Sequence, residues 1–365
     1  MSRISNRNIV LPKIGQGVGE YNWKDKHTRI IREGIYLGAN LIDTAESYDD
    51  GNSEKIVEKA IRGIRDKVII ATKFSPENHR KEDVVKSLEK SLKRLNTDYI
   101  DIYQLHWPNP DVNIEETLES LARLKESGKI LEIGMSNLRF NKFKEISESS
   151  DIFSFQLEYN LFDRCAEDQI LPFCKRRNIS FLAYSPLDKG RIVSGKKSLE
   201  LLTSLAKKYE ASLSQIALAW ISRHESVITI PKSTNIEHLK SNIKAISLNI
   251  SEEDMESISL YCKNKLVDIS PDDICVTNAG EGSRKTYQTL EEAYENKLNY
   301  VPSPLSLSGD ITEDDSIKPI RVIKNKNNSS SFKYNLVEGR VRYWAWVMKF
   351  GNIPVPCLIR NSVVR

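Results

Sequence analysis

KVIIATKFSPENHRKEDVVKSLEKSLKRLNTDYIDIYQLHWP, residues 67–108, reads as a strand, a helix and a second strand. KVIIAT (67–72) and YIDIYQL (99–105) are short, nearly continuous apolar runs rich in β-branched and aromatic residues. Such runs suit strands of a parallel sheet buried on both faces. Between them Val85, Leu88, Leu92 and Leu95 recur at helical spacing, which gives one apolar stripe on an amphipathic helix. Two strands joined by a helix form a parallel crossover unit.

The same unit repeats in both directions along the chain. NLID (40–43), ILEIGM (130–135), FSFQL (153–157), ISFLAY (179–184) and VITIP (227–231) are further strand-like runs. Leu118, Leu121 and Leu124 mark another helix, with Gly128 where a terminating glycine belongs. Ser53 is the expected cap of the helix containing Ile56 and Val57. With LPKIGQGVG (11–19) as the opening strand and turn, the count is eight strand–helix units. Eight units in about 240 residues predict an α/β fold, a (β/α)8 TIM barrel. A doubly wound sheet is the alternative. It expects G-x-G-x-x-G after the first strand, and GQGVGE (15–20) does not have that spacing.

The whole chain has 365 residues, too many for the barrel alone. From Lys263 the pattern changes to fewer helical periods and more Pro, Gly and Ser. VPSPLSLSGD (301–310) and NKNNSSS (325–331) read as loops. The expected division is residues 1–262 and 263–365. Ser251 is the expected cap of the helix just before it. No apolar run is long enough to span a membrane. MSRISNRNIVLP at the start lacks a signal-peptide core, so a cytoplasmic location is expected. The five cysteines, Cys165, Cys174, Cys262, Cys275 and Cys357, are odd in number and have no CxxC pair. Neither a disulfide framework nor a metal site is expected. The net charge is +4, yet Lys318–Arg365 holds ten basic residues against the single acid Glu338, just after an acidic run from Asp310 to Asp315. A basic segment favours phosphate-bearing partners or is simply a solvated face.

In such a barrel, side chains at the C-terminal strand ends converge on one mouth. Asp43 ends the second strand, Tyr48 follows in its loop, Lys73 ends the third and His106 the fourth. Each alone has an ordinary reading as a helix cap, a packing ring or a core histidine. Together they form a proton-donating site. A free phenol has a pKa near ~10, and a neighbouring ammonium favours its ionised form. Asp43 can hold Lys73, and His106 can orient a carbonyl.

The motifs NLIDTAESY (40–48), ATKF (71–74), LHWP (105–108), IGMSN (133–137), QLEYN (156–160), AYSPL (183–187) and IPKST (230–234) resemble those of the aldo-keto reductases, in order and spacing, from Leu11 to Asn242. The resemblance implies reduction of the aldehyde or ketone of a small metabolite, or the reverse oxidation, with NADPH and with NADH as an alternative. It implies that Asp43, Tyr48, Lys73 and His106 are catalytic. Ser136, Asn137 and Gln156 would hold the nicotinamide carboxamide, and Tyr184 would stack on the ring. Ser185 and Leu187 would touch the pyrophosphate. Lys232, Ser233 and Thr234 would meet the adenosine 2′-phosphate, and Asn242 the adenine. His238 stands where members that strongly prefer NADP usually have arginine, which leaves dual cofactor use open. Trp107, Trp23 and Tyr21 offer apolar walls for the substrate.

VDISPDDI (267–274), SRKTYQTLEEAYEN (283–296), KPIRVIK (318–324) and FKYNLVEGRVRYWAWVMKFGNIPVPCLI (332–359) resemble the ParB/sulfiredoxin-like fold, a small α+β domain. That resemblance places Glu338, Gly339, Arg340 and Arg342 at a strand-to-helix turn that holds a nucleotide or phosphate, with Mg as an accompanying ion. Arg340 stands where the sulfiredoxin reaction needs cysteine, so that reaction is not expected. A different reading is a nucleotide- or DNA-binding regulator with a reductase-like redox-sensor module. The complete tetrad disfavours it, and the basic segment is its support.

Overall fold

The computed structural model describes residues 3–6, 9–19, 21–109, 111–193, 199–263, 266–276, 285–311, 319–325 and 330–360. Residues 326–329 of the NKNNSSS stretch, 283–284 of the SRKTYQ segment, Asp314 and Asp315 of the acidic run, and Lys318 lie outside them. The chain divides into two compact units, Met1–Leu161 with Ala166–Met255, and Phe162–Cys165 with Glu256–Arg365.

In the first unit a hairpin, β1 (Arg3–Asn6) and β2 (Ile9–Pro12), precedes the sheet. Eight parallel strands follow: β3 (Gln16–Gly17), β4 (Leu41–Asp43), β5 (Ile69–Phe74), β6 (Ile100–Leu105), β7 (Ile130–Ser136), β8 (Ser154–Glu158), β9 (Ser180–Tyr184) and β10 (Val227–Thr229). They pair in sequence order. A parallel bridge from Ile14 to Thr229 closes the ring, with Gly15 N donating to Thr229 O at 2.8 Å. This is the (β/α)8 barrel. Its interior holds Leu11, Leu41, Ile69, Ala71, Ile102, Leu182 and Ile228, packed with Ile9 from the hairpin.

The opening segment divides differently from the expected strand and turn at 11–19. Ile9–Pro12 turns back onto the N-terminus, and the first barrel strand is the short Gln16–Gly17. Glycine explains the closeness. A Cβ on Gly17 would stand 2.7 Å from the Ile230 carbonyl, so the first and last strand ends meet only without a side chain there.

The helices wrap the barrel as the periodicity predicts, with local corrections. The helix Lys81–Leu95 buries Val84, Leu88, Leu92 and Leu95, while Val85 is exposed. Val84 lies four residues before Leu88 and joins its row, which turns Val85 outward. The helix Asn52–Ile61 starts one residue before Ser53, so Ser53 is not its cap. Gly51 is, in the left-handed region at φ 79°. Gly128 follows the helix Ile114–Glu126 at φ 74°, as a terminating glycine does. Ser251 accepts from Asp254 N at 3.2 Å and caps the helix Glu252–Lys263.

The second unit is a five-stranded mixed sheet with short helices. Its strands are β11 (Leu266–Ile269), β12 (Ile274–Val276), β13 (Ile320–Lys324), β14 (Tyr334–Glu338) and β15 (Val355–Arg360), in the order β11-β15-β13-β14-β12. Ile320, Val322, Leu336, Trp344 and Val355 build its own core. One expected loop is a helix: Pro304–Asp310 forms within VPSPLSLSGD, because Ser303 accepts from Ser306 N at 3.1 Å and Pro304 occupies the first turn. Among the described residues no helix is long and apolar enough to cross a membrane. No disulfide joins the five cysteines.

Candidate active site

The tetrad assembles at the C-terminal mouth of the barrel. β4 ends on Asp43, β5 carries Lys73 one residue before its end, and His106 follows β6 directly. Asp43 and Lys73 are both buried. Lys73 Nζ donates to Asp43 Oδ1 at 2.7 Å and to Thr44 O at 2.8 Å. Burial alone would lower the Lys73 pKa. The Asp43 charge and the Tyr48 phenol outweigh it and raise the pKa, so the ammonium stays charged.

Tyr48 begins a short turn, Tyr48–Gly51, in which Asp49 and Asp50 both have positive φ. Its hydroxyl lies 3.4 Å from His106 Nε2, and the two rings meet edge-on with centroids 5.4 Å apart. Lys73 Nζ stands 5.1 Å from the Tyr48 ring centroid. Burial, and next the Lys73 charge, push His106 down to about 3. His106 is therefore neutral at physiological pH, and an uncharged imidazole beside the phenol can donate or accept according to its tautomer.

A second ring of polar groups adjoins the tetrad. Asn137 takes a left-handed conformation at φ 61°. Its Nδ2 donates to His106 O and to Ser136 Oγ, each at 2.9 Å. Its Oδ1 accepts from the Tyr184 hydroxyl at 2.9 Å. Gln156 lies two residues inside the end of β8 rather than at it, and its Nε2 donates to Asp43 Oδ2 at 2.7 Å. So Ser136, Asn137, Gln156 and Tyr184 form one bonded group with the tetrad.

The other expected positions are more spread out. Ser185 and Leu187 follow β9 and are half-buried, with Ser185 at φ 48°. Asn160 Nδ2 donates to Ser185 O at 3.3 Å and ties that loop back to the end of β8. After β10, Lys232 is exposed and Ser233 and Thr234 are half-buried. His238 is exposed in the first turn of the helix Ile236–Lys244, and Asn242 is buried later on it. Trp23 is no substrate wall: it is buried, and its indole N–H donates to Gly19 O at 2.7 Å. Trp107 and Tyr21 are exposed.

Sequence reasoning missed the supports of this site. Glu46 sits between Asp43 and Tyr48, and its Oε1 accepts from Ser75 N and Asn78 Nδ2, each at 2.7 Å. Its other oxygen accepts from the Ser87 hydroxyl, which also accepts from Tyr103 OH at 3.1 Å. One carboxylate thus ties the Tyr48 loop to the loop after β5. Gln104 Nε2 lies 3.4 Å from Asp43 Oδ2, and its place two residues before His106 was the available signal, since i and i+2 share a strand face.

Residues 13–260 match the Aldo/keto reductase family. The chain belongs to that family. It is 35% identical over 257 residues to the methylglyoxal reductase YeaE of Escherichia coli (strain K12), covering 68% of this chain and 90% of the relative. It is 30% identical over 269 residues to a glyoxal reductase of Bacillus subtilis (strain 168), covering 74% and 95%. Among solved structures, an aldo/keto reductase from Klebsiella pneumoniae in complex with NADP and acetate superposes with a TM-score of 0.66 at 35% identity, over 69% of this chain and 92% of that one. The thermostable aldo-keto reductase Tm1743 superposes with a TM-score of 0.67 at 34% identity, over 72% and 100%. This aldo-keto reductase is therefore an oxidoreductase, with a further segment beyond residue 260 that the family match does not cover.

Proposed function

We propose that the barrel reduces the carbonyl of a small aldehyde or ketone, of the 2-oxoaldehyde class, with NADPH. The observation that carries this is the coupling of Lys73 to Asp43 at 2.7 Å beside a Tyr48 hydroxyl 3.4 Å from His106. The names of the two bacterial relatives support the substrate class, and the NADP-bound neighbour supports the cofactor. Ser136, Asn137 and Gln156 supply amide and hydroxyl groups suited to a carboxamide, and the half-buried Tyr184 supplies a ring face, so the residues present fit a nicotinamide. Ser185 and Leu187 would line the pyrophosphate. Lys232, Ser233, Thr234, His238 and Asn242 would receive the phosphorylated adenosine.

When bound, the cofactor supplies a hydride to the carbonyl carbon. The protein supplies everything else. His106, uncharged, hydrogen-bonds the carbonyl oxygen and fixes its direction. Tyr48 gives its phenolic proton to that oxygen, and the product is the alcohol. The Lys73 ammonium stabilises the phenolate left behind until solvent returns a proton. Trp107, exposed next to His106, offers an apolar wall large enough for a small substrate.

The test is NADPH oxidation with methylglyoxal as the probe. Wild type turns it over, and Tyr48→Phe loses about 10²- to 10⁴-fold in kcat, the usual worth of a general acid. Equal rates for wild type and Tyr48→Phe would reject the assignment.

For the second unit we propose the ParB/sulfiredoxin-like reading, with a nucleotide or phosphate ligand at Gly339, Arg340 and Arg342, while Glu338, the acid of that motif, pairs with Arg321 and supports the turn. Its support is local. β14 ends on Glu338, Gly339 turns the chain at φ 95°, and the helix Arg340–Phe350 begins immediately. Calorimetry with CTP and ATP, with and without Mg, tests it: binding lost in Arg342→Ala supports it, and no heat with either nucleotide rejects it.

A further inference from the structure

Tyr21 and Lys232 lie on two loops that the barrel's closure brings together. Gly17 N donates to Pro231 O at 3.1 Å, just before each loop departs. Lys232 Nζ stands 5.0 Å from the centroid of the Tyr21 ring, within cation–π range. Tyr21 is 41% exposed and was expected, from sequence, to face substrate.

The ring is held from behind. Tyr21 meets Trp23 edge-on at 5.6 Å and His27 at 5.7 Å, and those two meet each other at 5.5 Å. Trp23 and His27 are each 4% exposed. Backbone ties complete the platform: Trp23 Nε1 to Gly19 O at 2.7 Å, Lys24 N to His27 Nδ1 at 3.0 Å, and Asn52 Nδ2 to Trp23 O at 3.3 Å. A rigid aromatic face therefore meets a long, exposed lysine side chain. Among Lys232, Ser233, Thr234, His238 and Asn242, Lys232 is the one side chain that carries a permanent positive charge.

We propose that Tyr21 is a positioning residue for cofactor specificity. Its ring holds the Lys232 ammonium where a dinucleotide's 2′-phosphate arrives, and so favours the phosphorylated cofactor over the unphosphorylated one. This rests on the reading of Lys232 as the phosphate partner. Holding the ammonium in advance removes part of the ordering cost that binding would otherwise carry. An unphosphorylated dinucleotide gains nothing from it. Tyr21 thus belongs to the cofactor side of the mouth rather than to the substrate wall.

The experiment measures dissociation constants of NADP+ and NAD+ for the full chain by quenching of tryptophan fluorescence. Tyr21→Leu weakens NADP+ by about two- to fivefold, the worth of an exposed cation–π contact, and leaves NAD+ unchanged. Tyr21→Phe, which keeps the ring, restores most of the discrimination. In a Lys232→Met background, Tyr21→Leu has no further effect on either ligand. Equal weakening of both dinucleotides, tighter NADP+ binding, or a Tyr21→Leu effect that survives in Lys232→Met overturns the proposal. An unchanged NADP+/NAD+ ratio in Lys232→Met overturns the reading of Lys232 and this inference with it. The readout is dinucleotide binding, so a silent methylglyoxal assay would reject the substrate class alone.

Discussion

Gln156 and Lys73 share the Asp43 carboxylate, Gln156 on Oδ2 and Lys73 on Oδ1, each at 2.7 Å. The carboxylate is thereby fixed in plane, and with it the direction of the ammonium. Asp43→Asn keeps the shape and removes the charge. Burial then acts on Lys73 with less opposition, and its pKa falls from its raised position. The alkaline limb of the kcat profile should move to lower pH. The sign of the stability effect follows from the raised pKa: the pair stabilises the fold below the unfolded-state lysine pKa and ceases to as pH rises through the folded one. Near neutral pH the substitution should cost about 3–5 kcal/mol, as for a broken buried pair. Urea melts and pH–rate profiles check both, and an unmoved alkaline limb would count against the role of Asp43.

Glu46 makes a second prediction. It bridges the Tyr48 loop to Ser75, Asn78 and Ser87. Without it the phenol loses its fixed distance to Lys73 and His106. Glu46→Ala should lower kcat by about ten- to a hundredfold, the scale expected for a displacement near 1 Å, with a smaller change in KM. Glu46→Gln keeps an acceptor oxygen and should fall between. A loss confined to thermal stability, with kcat intact, would make Glu46 a fold residue alone.

The strands and the tetrad were legible in the sequence because both follow from one geometry. Continuous apolar runs mark buried parallel strands, and the residue types at their ends converge by construction. The motif resemblance added Asn137, Gln156 and Tyr184, and the structure joins these to the tetrad by hydrogen bonds. What could not be read was pairing among side chains far apart in sequence. Gln156 bonded to Asp43, Glu46 bridging two loops, and Lys232 over Tyr21 have no local signal. The helix Pro304–Asp310 was missed for another reason. Its Ser and Gly content matches a loop, and the Ser303 cap with Pro304 in the first turn was outweighed.

His79 carries the pH prediction. It is buried against Phe74, with ring centroids 5.2 Å apart, and its Nε2 has no hydrogen-bond partner. Burial holds its pKa down to about 4, against a weaker pull upward from the Trp107 backbone. A depressed histidine favours folding above the unfolded pKa near ~6.5 and loses that advantage as pH falls toward the folded value. Between pH 7 and pH 5 it should cost the fold about 2 kcal/mol. His79→Leu should flatten that acid slope in urea melts, measured as unfolding free energy against pH. An unchanged slope would place the acid sensitivity elsewhere, His106 being the next candidate.

Glu338 separates structure from binding in the second unit. Arg321 is buried at 2% exposure, and its Nη1 donates to Glu338 Oε1 at 2.7 Å. Glu338 is therefore already committed to an internal cation and cannot be counted as a spare acid for a metal or a ligand. Glu338→Ala takes the carboxylate away from a buried guanidinium and should destabilise this unit by about 3 kcal/mol. Gly339→Ala should cost about 1–2 kcal/mol, because φ 95° is strained for any L side chain and the new Cβ would stand 3.0 Å from Ile320 Cγ2. Arg342→Ala removes a half-buried basic side chain and should leave the melt nearly unchanged. Thermal melts of the three variants, followed by tryptophan emission, give the comparison. Loss of nucleotide binding in Arg342→Ala with the melt intact would mark a ligand contact, whereas the same loss in Glu338→Ala would report only the broken pair.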